Sequence, residues 1–396
     1  MPIKDRKEHR NLWELARLFL RLGFTAFGGP AAHIAMMEDE VVRRRGWLSR
    51  EKFLDLLGAT NLIPGPNSTE MAIHVGYDRG GWAGLLVAGV CFIVPATVIV
   101  MVIAWAYQSF GQLPQAGSIL YGVKPVVLAV IIQALWGLGR TAVKNPFLGG
   151  IALLAGALNF GGLNELLALL MGGVLAAGRR SLASDWREHL RAMIILLVLA
   201  AVFLALALLA PHLGSQVKWE FSLGALFLYF VKVGSVLYGS GYVLLAFLQA
   251  DLVGHWHWLT SGQLLDATAV GQLTPGPVFT TATFIGYLLD GVRGALIATA
   301  GIFLPAFFFV AVSGPLIPRL RQSEVAGAFL DGLNVASLAL MAVVTWTLGR
   351  ASVIDLPSAI LTLAAAFLLF RFRVNSAWLV LGGAAAGWAL KTVFSF

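Results

Sequence analysis

The chain has 396 residues, 58% hydrophobic and only 12% charged, with a formal net charge of +8 and a mean hydropathy of +0.81. A soluble protein carries about twice that charged fraction, so this composition belongs to a polytopic helical membrane protein. The basic excess needs no nucleic-acid partner, because cytoplasmic loops of membrane proteins are basic. The single cysteine, Cys91, excludes an internal disulfide and reads as a small core residue.

Residues 1–11 are polar and charged (Lys4, Arg6, Lys7, Arg10) and read as a cytoplasmic tail with no cleavable signal. Apolar runs then recur at Leu85–Ala106, Val126–Leu138, Ile151–Leu175 (a hairpin around Asn159–Asn164), Met193–Ala210, Ala295–Val312, Val335–Leu348, Ala359–Phe370 and Ala377–Leu390. Several approach the ~20 residues that cross a bilayer. Between them lies Asn61-Leu-Ile-Pro-Gly-Pro-Asn-Ser-Thr-Glu70, which returns 211 positions later as Gln272-Leu-Thr-Pro-Gly-Pro-Val-Phe-Thr-Thr281. Proline lacks an N–H and glycine tolerates unusual angles, so each Pro-Gly-Pro ends one half-helix and starts another. Asn67, Ser68 and Thr69 are expected to cap the second half-helix of the first break. Two broken helices in corresponding places point to a transporter's binding site.

The breaks belong to a longer duplication. At an offset of 211, Phe19 meets Phe230, Gly23 meets Gly234, Trp47-Leu48 meets Trp258-Leu259 and Asp55 meets Asp266. One residue is then dropped, after which Gly76-Tyr77 meets Gly286-Tyr287 and Leu138-Gly139-Arg140 meets Leu348-Gly349-Arg350. The chain therefore divides into a first copy over 12–178, a linker with one transmembrane helix over 179–221, and a second copy over 222–396. Loop charge sets the relative orientation. Residues 43–52 hold five Lys/Arg and their counterparts 254–263 hold none, while 109–118 hold none and Pro315–Ser323 contains Arg319 and Arg321. The turn Asn159–Asn164 is uncharged, and its counterpart carries Arg371 and Arg373. Basic loops stay in the cytoplasm, so the copies are expected to be inverted, with the N-terminus inside and the C-terminus outside. Arg179, Arg180, Arg187 and Arg191 end the first copy on the inside, and Met193–Ala210 crosses outward to Pro211–Glu220. The segments around Gly28-Gly29-Pro30 and Pro64-Gly65-Pro66 are either full crossings or re-entrant hairpins.

Gly23-Phe-Thr-Ala-Phe-Gly-Gly-Pro30, the Trp47-Leu48 after a basic turn, and the Pro-Gly-Pro break together resemble the chromate ion transporter (CHR) family. The resemblance covers nearly the whole chain, in both copies, and is to the long-chain, two-domain members. It implies two oppositely facing halves that export chromate from the bacterial cytoplasm across the inner membrane and so confer chromate resistance. The second copy departs from the pattern, with Gly239-Ser-Gly241 in place of Gly28-Gly-Pro30.

A half-helix that starts at each break points unpaired N–H groups and about half a positive charge toward the midplane. The expected oxyanion site gathers Asn61, Pro64, Gly65, Pro66, Asn67, Ser68 and Thr69 with Gln272, Thr274, Pro275, Gly276, Pro277, Thr280 and Thr281, and the glycines Gly28 and Gly29. The bland alternative is a pair of packing kinks. Arg21 and Lys232 form a symmetric basic pair, either snorkelling to the interface or lying on the anion path. Lys124 stands before Pro125 at the head of a long span, with Asn334 as its counterpart, and reads either as functional or as a headgroup lysine. Glu70 either satisfies the helix dipole or serves as a coupling group.

His33 and His74 read as hydrogen-bonded packing residues, and Asp55 and Asp266 as structural. His255 and His257, flanking Trp256, read as interface residues and not as a metal site. There is no P-loop and no zincin or serine-hydrolase motif, and no cofactor is expected. An intramembrane enzyme using Glu70, His74 and Asp55 is the rival from another class, but inverted duplication serves alternating access and not catalysis. Within transport the alternatives are a sulfate carrier and a proton-coupled oxyanion antiporter. The assembly is left open between monomer and homodimer.

Overall fold

The structure, a computed structural model, describes residues 3–27, 29–111, 114–182, 220–238, 243–313, 323–372 and 374–394. Gly28, Gly239–Gly241, the linking span Met193–Ala210, Arg187, Arg191, Arg319, Arg321 and Arg373 lie outside them. Among the described residues every regular element is helical, in an all-α polytopic membrane protein.

The first copy begins with α1 (Ile3–Thr25), which takes in most of the polar stretch expected as a separate tail. The chain reverses into α2 (Gly29–Glu38), which runs on as a wider π turn over Asp39–Arg44. Arg21 Nη2 of α1 meets Glu40 Oε1 at 2.6 Å, which fixes the two limbs as a hairpin. α3 (Arg50–Thr60) starts on a Ser49 cap that accepts from the Lys52 N–H and stops before Pro64. α4 (Asn67–Phe110) follows the break, but is itself folded back at Gly80-Gly81, where Gly81 takes φ 57°. The two limbs touch at Gly76 and Gly84, where a side chain on either would strike the other's carbonyl. Lys52, at the start of α3, pairs at 3.4 Å with Asp78, at the end of the short limb of α4. Entry and exit of the break thus share one face: the Pro-Gly-Pro segment is a re-entrant hairpin.

The long limb of α4 spans residues 82–110. At 1.5 Å per residue it is about 43 Å long, more than the ~30 Å hydrocarbon thickness. Leu86, Val90, Val94, Val98 and Val102 stand exposed along it at four-residue steps, an apolar stripe suited to lipid. α5 (Pro114–Ala142) crosses back, and α6 (Pro146–Phe160) with α7 (Glu165–Leu182) forms the expected hairpin.

The second copy repeats the plan. It comprises α8 (Leu223–Val236), α9 (Leu244–Phe247, with a π continuation Leu248–His255), α10 (Ser261–Leu273) and, after the second break, a 3-10 turn at Val278–Thr280. α11 (Thr281–Ser313) folds back at Asp290-Gly291 as α4 does at Gly80-Gly81, and α12 (Glu324–Ser352), α13 (Leu356–Phe372) and α14 (Ser376–Phe394) complete it. Among the described residues, four helices are long and apolar enough to cross a membrane: Asn67–Phe110, Gly117–Ala142, Val278–Ser313 and Glu324–Ser352.

Two contacts show the inversion directly. Gln108 Nε2 donates to Leu288 O at 3.4 Å, and the Tyr107 ring packs edge-on against Phe284. Leu288 is the counterpart of Asp78, yet Asp78 adjoins one end of the long limb of α4 and Leu288 adjoins the other. Equivalent points therefore lie on opposite faces. The copies are also interlocked: α13 and α14 pack on α5, and α6 and α7 pack on α12, while α4 meets α11 and α5 meets α12 across the centre.

Candidate functional site

The two breaks come together through a reciprocal pair of hydrogen bonds. Gly65 N–H donates to Leu237 O at 2.8 Å, and Gly276 N–H donates to Ala26 O at 2.9 Å. Ala26 and Leu237 are themselves counterparts, so each break reaches the end of the other copy's first helix, as a two-fold relation requires. Gly65 (φ 137°) and Gly276 (φ 85°) hold backbone angles that side chains rarely adopt.

Beside the first break lies a cavity of about 580 Å³. Its walls are Gly29 and Pro30 at the start of α2, Thr60 and Asn61 ending α3, Pro66, Asn67 and Ser68 opening α4, and Val278 and Phe279 from the second break. Thr141 of α5 and Asp331, Asn334 and Ser337 of α12 complete it, with Lys144 at the rim held 2.7 Å from Asp331. Because the cavity follows the end of α5 and the first half of α12, it opens on the face where α7 ends in Arg179 and Arg180.

Pro66 occupies the N-cap of α4 with extended backbone (φ −80°, ψ 92°) and no side-chain cap, because its ring carries no acceptor. Asn67, Ser68 and Thr69, expected as caps, are instead the first three helical residues. The N–H groups of Thr69 and Glu70 turn back to Pro66 O at 2.7 and 3.0 Å. Asn67 Nδ2 donates to Asn61 Oδ1 at 2.7 Å, which sets both amides on the cavity wall. This corner presents amides, a hydroxyl and a helix N-terminus, the donor set an oxyanion binds.

The second break is arranged differently. Thr274 donates to Val270 O at 2.9 Å, Thr280 to Pro277 O at 2.8 Å and Thr281 to Val278 O at 2.9 Å, so all three hydroxyl protons are engaged by the chain itself. Gln272, Thr274, Pro275, Gly276 and Pro277 are not among the cavity walls, and neither are Pro64, Gly65, Thr69, Thr280 and Thr281. The polar corner comes from one copy, and Val278 and Phe279 supply an apolar wall from the other.

The basic candidates are paired elsewhere. Lys232 Nζ meets Asp251 Oδ2 at 3.0 Å, the counterpart of the Arg21–Glu40 pair, so both hold hairpins together and neither lines the cavity. Lys124 Nζ lies 3.5 Å from Asp266 Oδ2, toward the opposite face. His33 Nε2 donates to Ala26 O at 3.0 Å, a packing role as expected, and its ring sits edge-on to Phe92. His255 and His257 are exposed, and among the described residues no cluster of three metal-ligating side chains occurs. The cavity residues least legible beforehand are Thr60, Thr141, Asp331 and Ser337. Single polar residues in apolar helices leave no pattern, although Asn334 had one signal, its place opposite Lys124 in the duplication.

The family model for chromate transporters matches residues 13–178 and 224–388, one match per copy. The chain belongs to the chromate transporter family. It is 32% identical to a chromate transport protein of Cupriavidus metallidurans over 376 residues, covering 94% of this chain and 92% of that one. A probable chromate transport protein of Synechococcus elongatus is 31% identical (90% and 89% covered), and a chromate transport protein of Pseudomonas aeruginosa is 30% identical (95% and 91%). No solved structure matches the chain. The family is one of transporters, and the polar corner between inverted copies fits that class better than it fits an enzyme.

Proposed function

We propose that this protein exports chromate from the bacterial cytoplasm and thereby confers chromate resistance. Its N-terminus would face the cytoplasm and its C-terminus the outside. The observation that carries the reading is the uncapped start of α4, which opens with Asn61, Asn67 and Ser68 into a cavity on the basic face. Relatives named as chromate transport proteins supply the substrate class. The binding corner is Gly29, Asn61, Pro66, Asn67 and Ser68, with Asn334 facing them; Gly65 and Gly276 position the breaks.

Direction follows from charge. A divalent anion leaving a cell with negative interior gains about 2 × 2.3 kcal/mol per 100 mV from the field. At roughly 1.4 kcal/mol per decade this sustains an outward gradient near a thousandfold. Export then needs no nucleotide, which suits a chain without a P-loop. Sulfate shares chromate's charge and shape and should compete. The test is efflux of labelled chromate and sulfate from liposomes clamped with potassium and valinomycin. Efflux indifferent to an interior-negative potential would overturn the field-driven reading, and absence of chromate flux would overturn the substrate.

A further inference from the structure

We propose that Glu70 is a proton-binding site, built into the first break where it meets the second copy, and that its occupancy sets the pH dependence of transport. The inference rests on the transporter reading above for its consequence, but not for the site itself. Glu70 is 0% exposed, and among the described residues neither carboxyl oxygen has a hydrogen-bond partner. The side chain turns back from the first turn of α4 onto the break and rests against Gly65, where an added Cβ would collide with Oε1.

Among the described residues, the groups around it offer no cation. α11 presents Ala306, Phe307 and Val310, and α1 presents Leu15, Leu18 and Leu22 to α4. From α3, Lys52 is paired with Asp78 at the far end of the hairpin, and from α2, His33 uses Nε2 on Ala26 O. The chain after α8 brings Tyr238 within electrostatic reach, and His74 follows one turn later on α4 itself. A carboxylate buried without donors or a countercharge is strongly disfavoured, and the helix N-terminus alone does not replace the missing bonds. A neutral carboxyl avoids that cost. A metal cation would need several oxygen ligands around it, whereas a proton needs no ligand shell, and Ala306 offers the break only an apolar side chain.

The second copy shows the contrast. Thr281 stands in the equivalent place and donates its own proton to Val278 O, so nothing ionisable is needed there. Among the described residues, the proton site has no equivalent in the second copy. When the carboxyl dissociates, its proton passes to water and the carboxylate needs water too. The nearest route is the cavity beside Pro66, Asn67 and Ser68.

The experiment uses full-length protein in lipid. Infrared difference spectra between the parent and Glu70→Gln at neutral pH should contain a protonated carboxylic acid band that shifts in deuterium oxide. Glu70→Asp should move that band, which keeps the test open if the glutamine variant folds poorly. In liposomes, parent chromate efflux should change by up to about tenfold per pH unit, and Glu70→Gln by less than about twofold. A parent without the band, a band seen only after sodium is removed, or a glutamine variant with the parent's pH profile overturns the proposal. Chromate binding to the parent, read by calorimetry, tests the oxyanion reading separately. Its failure would leave the infrared result standing.

Discussion

Lys124 Nζ lies 3.5 Å from Asp266 Oδ2 and joins α5 of the first copy to α10 of the second. Tyr107 donates its hydroxyl to the same oxygen at 2.9 Å. This knot sits toward the face opposite the cavity, and the counterpart of Lys124, Asn334, lines the open cavity. The two equivalent positions thus do different things, one tying the copies together and the other lining the cavity beside the first break. Lys124→Gln leaves Asp266 buried without its lysine, and should lower stability by about 3–5 kcal/mol. Lys124→Gln with Asp266→Asn should recover most of that loss. Thermal unfolding in detergent reads both; equal destabilisation by the single and double variants would remove the pair from this role.

The oxyanion corner separates residues that the sequence treats alike. Asn67→Ala removes an amide on the cavity wall and should weaken chromate binding by about 1–2 kcal/mol. Thr280→Ala removes a hydroxyl already donating to Pro277 O, so affinity should hold while stability falls by about 1 kcal/mol. Calorimetric titration of both variants is the check, and equal losses of affinity would return the second break to the site.

Arg21 and Lys232 should matter little to binding. Arg21 is half exposed where it meets Glu40, and an exposed pair is worth about 0–1 kcal/mol. Arg21→Ala and Lys232→Ala should therefore keep chromate affinity within about threefold, which is less than one such pair. A tenfold loss in either would put that cation back on the anion path.

Topology can be read in intact cells. Arg44 and His255 are both exposed, on equivalent π turns of opposite copies. Cysteine at Arg44 should be reached only from the cytoplasm and cysteine at His255 only from outside. Labelling of both by one impermeant reagent would contradict the inversion seen at Gln108 and Leu288.

The sequence made the duplication and both breaks plain, because glycines, prolines and tryptophans in one register survive any folding detail. The inversion was legible from loop arginines alone. Partnerships were not. Arg21 and Lys232, open in sequence between snorkelling and the anion path, turn out to face Glu40 and Asp251, which are equally symmetric. Thr280 and Thr281 looked like donors because composition does not tell where a hydroxyl proton goes. The cavity beside the first break was hidden for a deeper reason: in a nearly symmetric duplicated sequence nothing marks which of two equivalent breaks presents its polar residues to a cavity.

The exchange of helices between copies, α13 and α14 onto α5 and α6 and α7 onto α12, has a mechanical consequence. The seam in the sequence, between residue 178 and residue 222, is not a seam in the machine. Neither half can tilt as a block without tearing its outer helices from the other, so the six interleaved helices behave as a single chassis. The paired hairpins that carry the breaks, α1 to the short limb of α4 and α8 to the short limb of α11, are not among the six, and Lys124–Asp266 ties one of them to the chassis at α5.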